Sequence, residues 1–240
     1  MMKRDWLILS VGLCFLFGVS AFGARQIVPA SMTVPQEPAY TLILDAGHGG
    51  EDGGASTAGG EKESDINLGI VLKMDALLAF CGVEAQLTRS EDISLHDNGC
   101  DTIREKKVSD LKNRVEQVNS TPNAMLISVH QNHFTDSRYS GSQVFYAIGD
   151  ASRQWGEHTQ EILRQLLSPN NERKAKLLSD SIYLFKNISC PAILVECGFL
   201  SNGEEASLLL TDSYQRKVAL ALTGACLHQL ELLQTISGGV

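Results

Sequence analysis

Two histidines and several carboxylates occupy positions where they could do chemistry. His48 lies in TLILDAGHGGEDGGA, Thr41 to Ala55, just past an apolar, partly β-branched run from Thr41 to Leu44 that reads as a buried strand. His130 follows the apolar run AMLISV, Ala124 to Val129, and Glu196 follows Ala192 to Val195. In a parallel sheet such strand ends fall on one edge, so residues far apart in sequence become neighbours. Glycines at 47, 49, 50, 53 and 54 remove bulk around His48 and permit backbone angles that other residues avoid. Each polar residue also has a plain structural reading, as a backbone-bonded histidine or a paired core carboxylate. A carboxylate directly after an apolar run is costly to bury without a partner or a metal, which weakens that reading for Glu196. A phosphate cradle is disfavoured, because the glycine pattern matches neither G-x-x-x-x-G-K-[ST] nor a G-x-G-x-x-G that opens a helix.

Two histidines, one carboxylate and an open position for water make up the usual catalytic zinc site. Zinc polarises a carbonyl and lowers the pKa of water to roughly 7. A second carboxylate, off the metal, then carries the proton to the leaving amine. The spacing offers two acids as third ligand: Glu51, an H-x-x-E arrangement like that of zinc carboxypeptidases, or Glu63 at the start of the following helix. Spacing leaves both open. A peptidase would also need a cation to read a free carboxylate, for which Arg89 and Arg114 are available.

The elements that must hold these residues alternate between strand and helix. Helical spacing runs from Glu63 to Cys81, from Arg104 to Asn119, from Ala151 to Leu167 and from Asp212 to Leu233. Further strands are expected over Glu84 to Thr88 and Ser142 to Ile148, and a functional loop over Ser90 to Thr102. The fold class is α/β, a single domain with a mostly parallel twisted sheet flanked by helices on both faces. The chain has 240 residues, 43% hydrophobic and 20% charged, which indicates a folded globular protein. A net charge of -8 argues against nucleic acid as a partner. Lys3 and Arg4 precede an apolar run from Trp6 to Ala24, so residues 1–24 read as a signal peptide or membrane anchor and the protein as exported. Residues 25–40 read as a linker and residues 41–235 as the domain. Beyond Cys14, five cysteines remain, none in a CxxC pair. They read as small buried apolar residues, with Cys100 in a polar loop as the free thiol.

Four motifs then carry a resemblance: D-A-G-H-G-G-E-D-G-G-A, E-K-E-S-D-I-N-L, S-V-H-Q-N and V-E-C-G-F-L-S-N. In this order, from about Leu42 to Leu233, they resemble the motifs of zinc-dependent N-acetylmuramoyl-L-alanine amidases, the type 3 cell-wall hydrolases. The resemblance implies that His48, Glu63 and His130 bind Zn²⁺ and that Glu196 is the catalytic acid/base, so it favours Glu63 over Glu51. His130 rather than His133 matches the H-x-N position. L-T-R, R-x-K-x-x-x-D-L-x-x-R-V (Arg104 to Val115) and N-x-R-x-A-K are most similar to the short spore-cortex amidases. The substrate would be peptidoglycan, outside the cytoplasmic membrane, with the N-terminal segment as membrane contact. An activating protein partner is compatible with this resemblance. The alternatives are a carboxypeptidase-like enzyme and a non-catalytic wall-binding protein.

Overall fold

The computed structural model describes residues 40–179 and 181–237, so the segment expected over residues 1–24 and the linker expected over residues 25–40, save Tyr40, lie outside the described part. Six strands, β1 (Thr41–Ala46), β2 (Gln86–Leu87), β3 (Ala124–Asn132), β4 (Gln143–Tyr146), β5 (Lys176–Leu177) and β6 (Ala192–Phe199), form one sheet in the order β2-β1-β3-β6-β4-β5. The first four in that order are parallel. β4 runs antiparallel to β6, and β5 runs parallel to β4, so the sheet is mostly parallel with a reversed edge.

Alternation along the three central strands sorts side chains onto two faces. Leu42 and Leu44 of β1, Met125 and Ile127 of β3, and Ile193 and Val195 of β6 belong to the larger core cluster. Its helical cover comes from α1 (Glu63–Phe80), α3 (Asp150–Leu167) and α6 (Asp212–Ser237), through Ile70, Met74 and Leu78, Trp155 and Leu163, and Val218 and Leu222. The opposite parity, Ile43, Leu126, Ala192 and Leu194, packs against Val118 of α2 (Ile103–Ser120) and Leu184 and Phe185 of α4 (Tyr183–Lys186). Helices therefore cover both faces. A short α5 (Gly203–Leu209) follows β6.

Helix starts follow local chemistry. α2 begins on a capping box, with Thr102 Oγ1 accepting from the Glu105 amide while Glu105 accepts from the Thr102 amide. α1 has no side-chain cap, and its first turn carries Glu63 and Asp65 at the positive end of the helix dipole. Several expectations need correction. β2 is two residues long, because only Ile43 and Leu44 of β1 pair with it. β3 and β6 run past His130 and Glu196, which pair across the sheet as Cα partners instead of following the strands. Cys81 is exposed, since α1 stops there before Gly82, whereas Cys197 and Cys226 are buried. Among the described residues no helix is long and apolar enough to cross a membrane.

Candidate active site

The strand face that packs on α2 and α4 changes character towards the carboxyl edge. Ile43 is followed on that face by Asp45, Leu126 by Ser128 and His130, and Leu194 by Glu196. These polar ends line a cavity of about 280 Å³ together with His48, Asp52 and Arg114. His48 has φ 61°, a left-handed conformation that a non-glycine residue adopts only when its surroundings hold it there. Two arginines provide the hold. Arg89 donates to the Ala46 carbonyl at 3.0 Å, to Gly47 at 3.1 Å and to Ser64 at 2.9 Å. Arg114 donates to the Ala46 carbonyl at 3.0 Å and to the His48 carbonyl at 2.8 Å. Three successive carbonyls leading into the histidine are thus fixed by charged donors.

Arg114 is itself anchored by Asp45 and by Asp110, the latter at 2.7 Å. Burial would raise the Asp45 pKa, but the Arg114 guanidinium and hydrogen bonds from Ser128 and Thr88 hold it below the usual carboxylate range. With exposures of 3% and 2%, Arg89 and Arg114 have no donors turned to solvent, which removes both as readers of a substrate carboxylate.

His48, Glu63 and His130 converge, with one ligand atom of each within 4.8 Å of the others. Glu63 Oε1 lies 2.9 Å from His130 Nδ1 and 3.4 Å from His48 Nε2. Its other oxygen accepts the Ala55 amide at 2.8 Å, and the Gln131 amide meets Oε1 at 3.1 Å. Burial would raise the Glu63 pKa, yet the two imidazoles hold it well below the ordinary value. His48 Nδ1 is bound by Asp52 at 3.0 Å, which leaves Nε2 directed at Glu63. Burial would lower the His48 pKa, but hydrogen bonds to Asp52 and Glu63 outweigh it and push it up to about 9. Without a metal, protons on imidazole balance the carboxylate. Two imidazole nitrogens, a deprotonated carboxylate and a second-layer carboxylate on one histidine fit a divalent transition metal.

Glycine is required where these groups meet. A Cβ on Gly47 would stand 2.2 Å from His130 Cε1, and one on Gly54 would stand 2.5 Å from Glu63 Oε2. Glu196 faces the same cavity, and its Oε2 is buried with no hydrogen-bond partner. Burial pushes its pKa up to about 7. A buried carboxylate oxygen without a protein partner has room for one from outside the chain. Glu51, the acid that spacing also allowed as a ligand, is exposed and pairs with Lys106. Sequence reading named Arg89 and Arg114 only as carboxylate readers, and it did not single out Asp52 or Asn67, whose Nδ2 donates to the Gly47 carbonyl at 3.1 Å. Asp52, at i+4 from His48 in the same glycine loop, had a spacing signal; the clamp had none.

Comparison with known proteins finds relatives for the chain. The chain is 35% identical over 224 residues to a germination-specific N-acetylmuramoyl-L-alanine amidase of Bacillus subtilis (strain 168), covering 92% of each chain. Its fold matches the CwlD amidase from Clostridioides difficile, solved in complex with the GerS lipoprotein, with a TM-score of 0.77 and 39% identity over 80% of this chain and 99% of that one. It also matches the N-acetylmuramoyl-L-alanine amidase AmiC2 of Nostoc punctiforme, with a TM-score of 0.65 and 27% identity over 80% of this chain and 98% of the other. With residues 42–227 matched by the family described as N-acetylmuramoyl-L-alanine amidase, the chain belongs to that family.

Proposed function

We propose that this amidase hydrolyses the bond between N-acetylmuramic acid and L-alanine in spore-cortex peptidoglycan, with Zn²⁺ held by His48, Glu63 and His130 and with Glu196 as general acid/base. The observation that carries the residue roles is the convergence of those three ligand atoms within 4.8 Å beside the unpartnered Glu196 Oε2. When bound, zinc supplies Lewis acidity, polarising the scissile carbonyl and lowering the pKa of water to roughly 7. The protein side chains do the remainder. Asp52 fixes the His48 tautomer by accepting from Nδ1, so that Nε2 is the free nitrogen. Glu196 accepts the proton of the attacking water and returns it to the departing L-alanine nitrogen. The Ala55 and Gln131 amides hold Glu63 in place, and Gly47 leaves the space into which His130 turns.

The spore-cortex assignment is supported by the germination-specific relative and by the CwlD amidase. Because that amidase was solved with a lipoprotein, a protein partner belongs to the proposal too, as does a place outside the cytoplasmic membrane. A carboxypeptidase reading lacks support, since Glu51 lies with Lys106 and both arginines are enclosed. The test is mass analysis of purified cortex digested with the full chain, with and without a chelator, and with zinc restored. New L-alanyl amino termini that vanish with chelator and return with zinc are expected. Released carboxyl-terminal residues, or chelator-resistant cleavage, would overturn the proposal.

A further inference from the structure

The active-site cavity holds one cation that the proposed chemistry leaves unused. Lys107, Leu111 and Arg114 share a stripe of α2 at i, i+4 and i+7, and all line the cavity. Arg114 is enclosed and has its donors on Asp45, Asp110 and main-chain carbonyls. Lys107 is different. Its side chain is 51% exposed and its Nζ meets the two oxygens of Asp52 at 3.1 and 3.2 Å. An ammonium has three hydrogens, so this contact leaves at least one for another acceptor. The neighbouring Lys106 is turned away to Glu51 and does not line the cavity. Ile182, Leu184, Phe185 and Leu194 add an apolar portion to the lining.

The peptide released by the reaction begins with L-alanine, a methyl side chain. In peptidoglycan the next unit is a γ-linked D-glutamyl residue, whose α-carboxyl is either free or amidated. An apolar wall with one solvent-open ammonium matches a small apolar residue followed by a carboxylate. We infer that this cavity is the stem-peptide subsite and that Lys107 binds the α-carboxylate of the second residue, making the enzyme selective for the unamidated peptide. This rests on reading His48, Glu63, His130 and Glu196 as the reaction centre. A partly exposed charge pair of this kind improves binding by up to about 5-fold.

The test uses the full chain, zinc-loaded, and two synthetic substrates. One is N-acetylmuramoyl-L-alanyl-D-glutamate γ-methylamide; the other has the α-carboxylate replaced by a carboxamide. The wild-type protein should show a KM up to about 5-fold lower for the carboxylate. Lys107→Gln should raise that KM by about the same factor with kcat retained, move the carboxamide KM less than about 2-fold, and keep its zinc, while Lys107→Arg should restore the preference. Equal KM values for the two substrates in the wild-type protein would overturn the inference. So would an equal decline on both substrates in Lys107→Gln with zinc lost, which would make Lys107 a brace for Asp52. Failure of the wild-type protein to cleave either substrate would overturn the amidase reading of the site, and the inference with it.

Discussion

Replacing Glu196 by Gln preserves the length of the side chain and removes its ability to ionise. In the metal-free protein, burial pushes this carboxyl up to about 7 from an ordinary 4.5. At ~1.4 kcal/mol per pH unit, holding the ionised form in the folded state costs about 3 kcal/mol. The sign follows from which state binds the proton. Below pH 4.5 the carboxyl is protonated whether the chain is folded or not, so Glu196 costs nothing there. As pH rises the unfolded chain ionises first and stability falls, until above pH 7 the whole penalty is present. Metal-free Glu196→Gln should therefore match the wild-type protein near pH 4.5 and exceed it by up to about 3 kcal/mol near pH 8. Guanidinium unfolding of chelator-treated protein at both pH values measures this. After zinc is restored, the same variant should turn over about 10² to 10⁴ times more slowly, because the amide cannot take the proton of water. Equal stability of the two proteins at pH 8 would refute the burial argument. Near-normal turnover would refute the general-base role and move it to another cavity acid, Asp52 or Asp110.

His48→Ala and His130→Ala should each abolish bound zinc, and Glu63→Ala should lower occupancy strongly, while Glu51→Ala stays near normal; metal analysis after dialysis reads all four. Gly47→Ala should lose zinc while keeping its circular dichroism spectrum, since the new Cβ would fall 2.2 Å from His130 Cε1 and displace the ring. Arg114→Met should destabilise the protein by about 3 to 5 kcal/mol, because it leaves Asp45 buried without its counter-charge. The Asp45 pKa is lowered in the fold, so its share of stability is complete above the ordinary 3.8 and is lost as pH falls through the folded value. Acid unfolding of Asp45→Asn should accordingly be less steep below pH 3.8 than that of the wild-type protein.

The sheet was legible because its strands carry their own pattern. TLILDA and AMLISV are apolar nearly throughout, as strands covered on both faces must be, and β1, β3 and β6 lie side by side with their ends together. Their lengths were less legible. His130 and Glu196 look like the first polar residues past a strand, but on the α2 and α4 face they continue an alternation, Leu126, Ser128, His130 and Leu194, Glu196. Period two hides inside a run whose other face is uniformly apolar. β5 and α4 were missed for another reason. They have two and four residues, too few for any periodicity, and depend on what they pack against.

His48 and His130 were visible as residue types at strand ends, and Glu63 was favoured over Glu51 only by the resemblance, whereas the apparatus that orients them was not visible. Arg89 and Arg114 read as cations available to a substrate carboxylate in the peptidase alternative, since arginine is seldom buried unless paired. What pairs them here is main chain: the carbonyls of Ala46, which ends β1 beyond its pairing with β2, and of Gly47 and His48 in the glycine loop. A loop that must carry a histidine at φ 61° loses ladder partners for those carbonyls, and buried carbonyls need donors. Guanidinium groups supply several donors from one side chain, so two residues suffice. Their charge then requires Asp45 and Asp110 behind them. The polar core beneath the site is thus a consequence of the strained histidine above it, and conformation, which residue types do not display, is what links them.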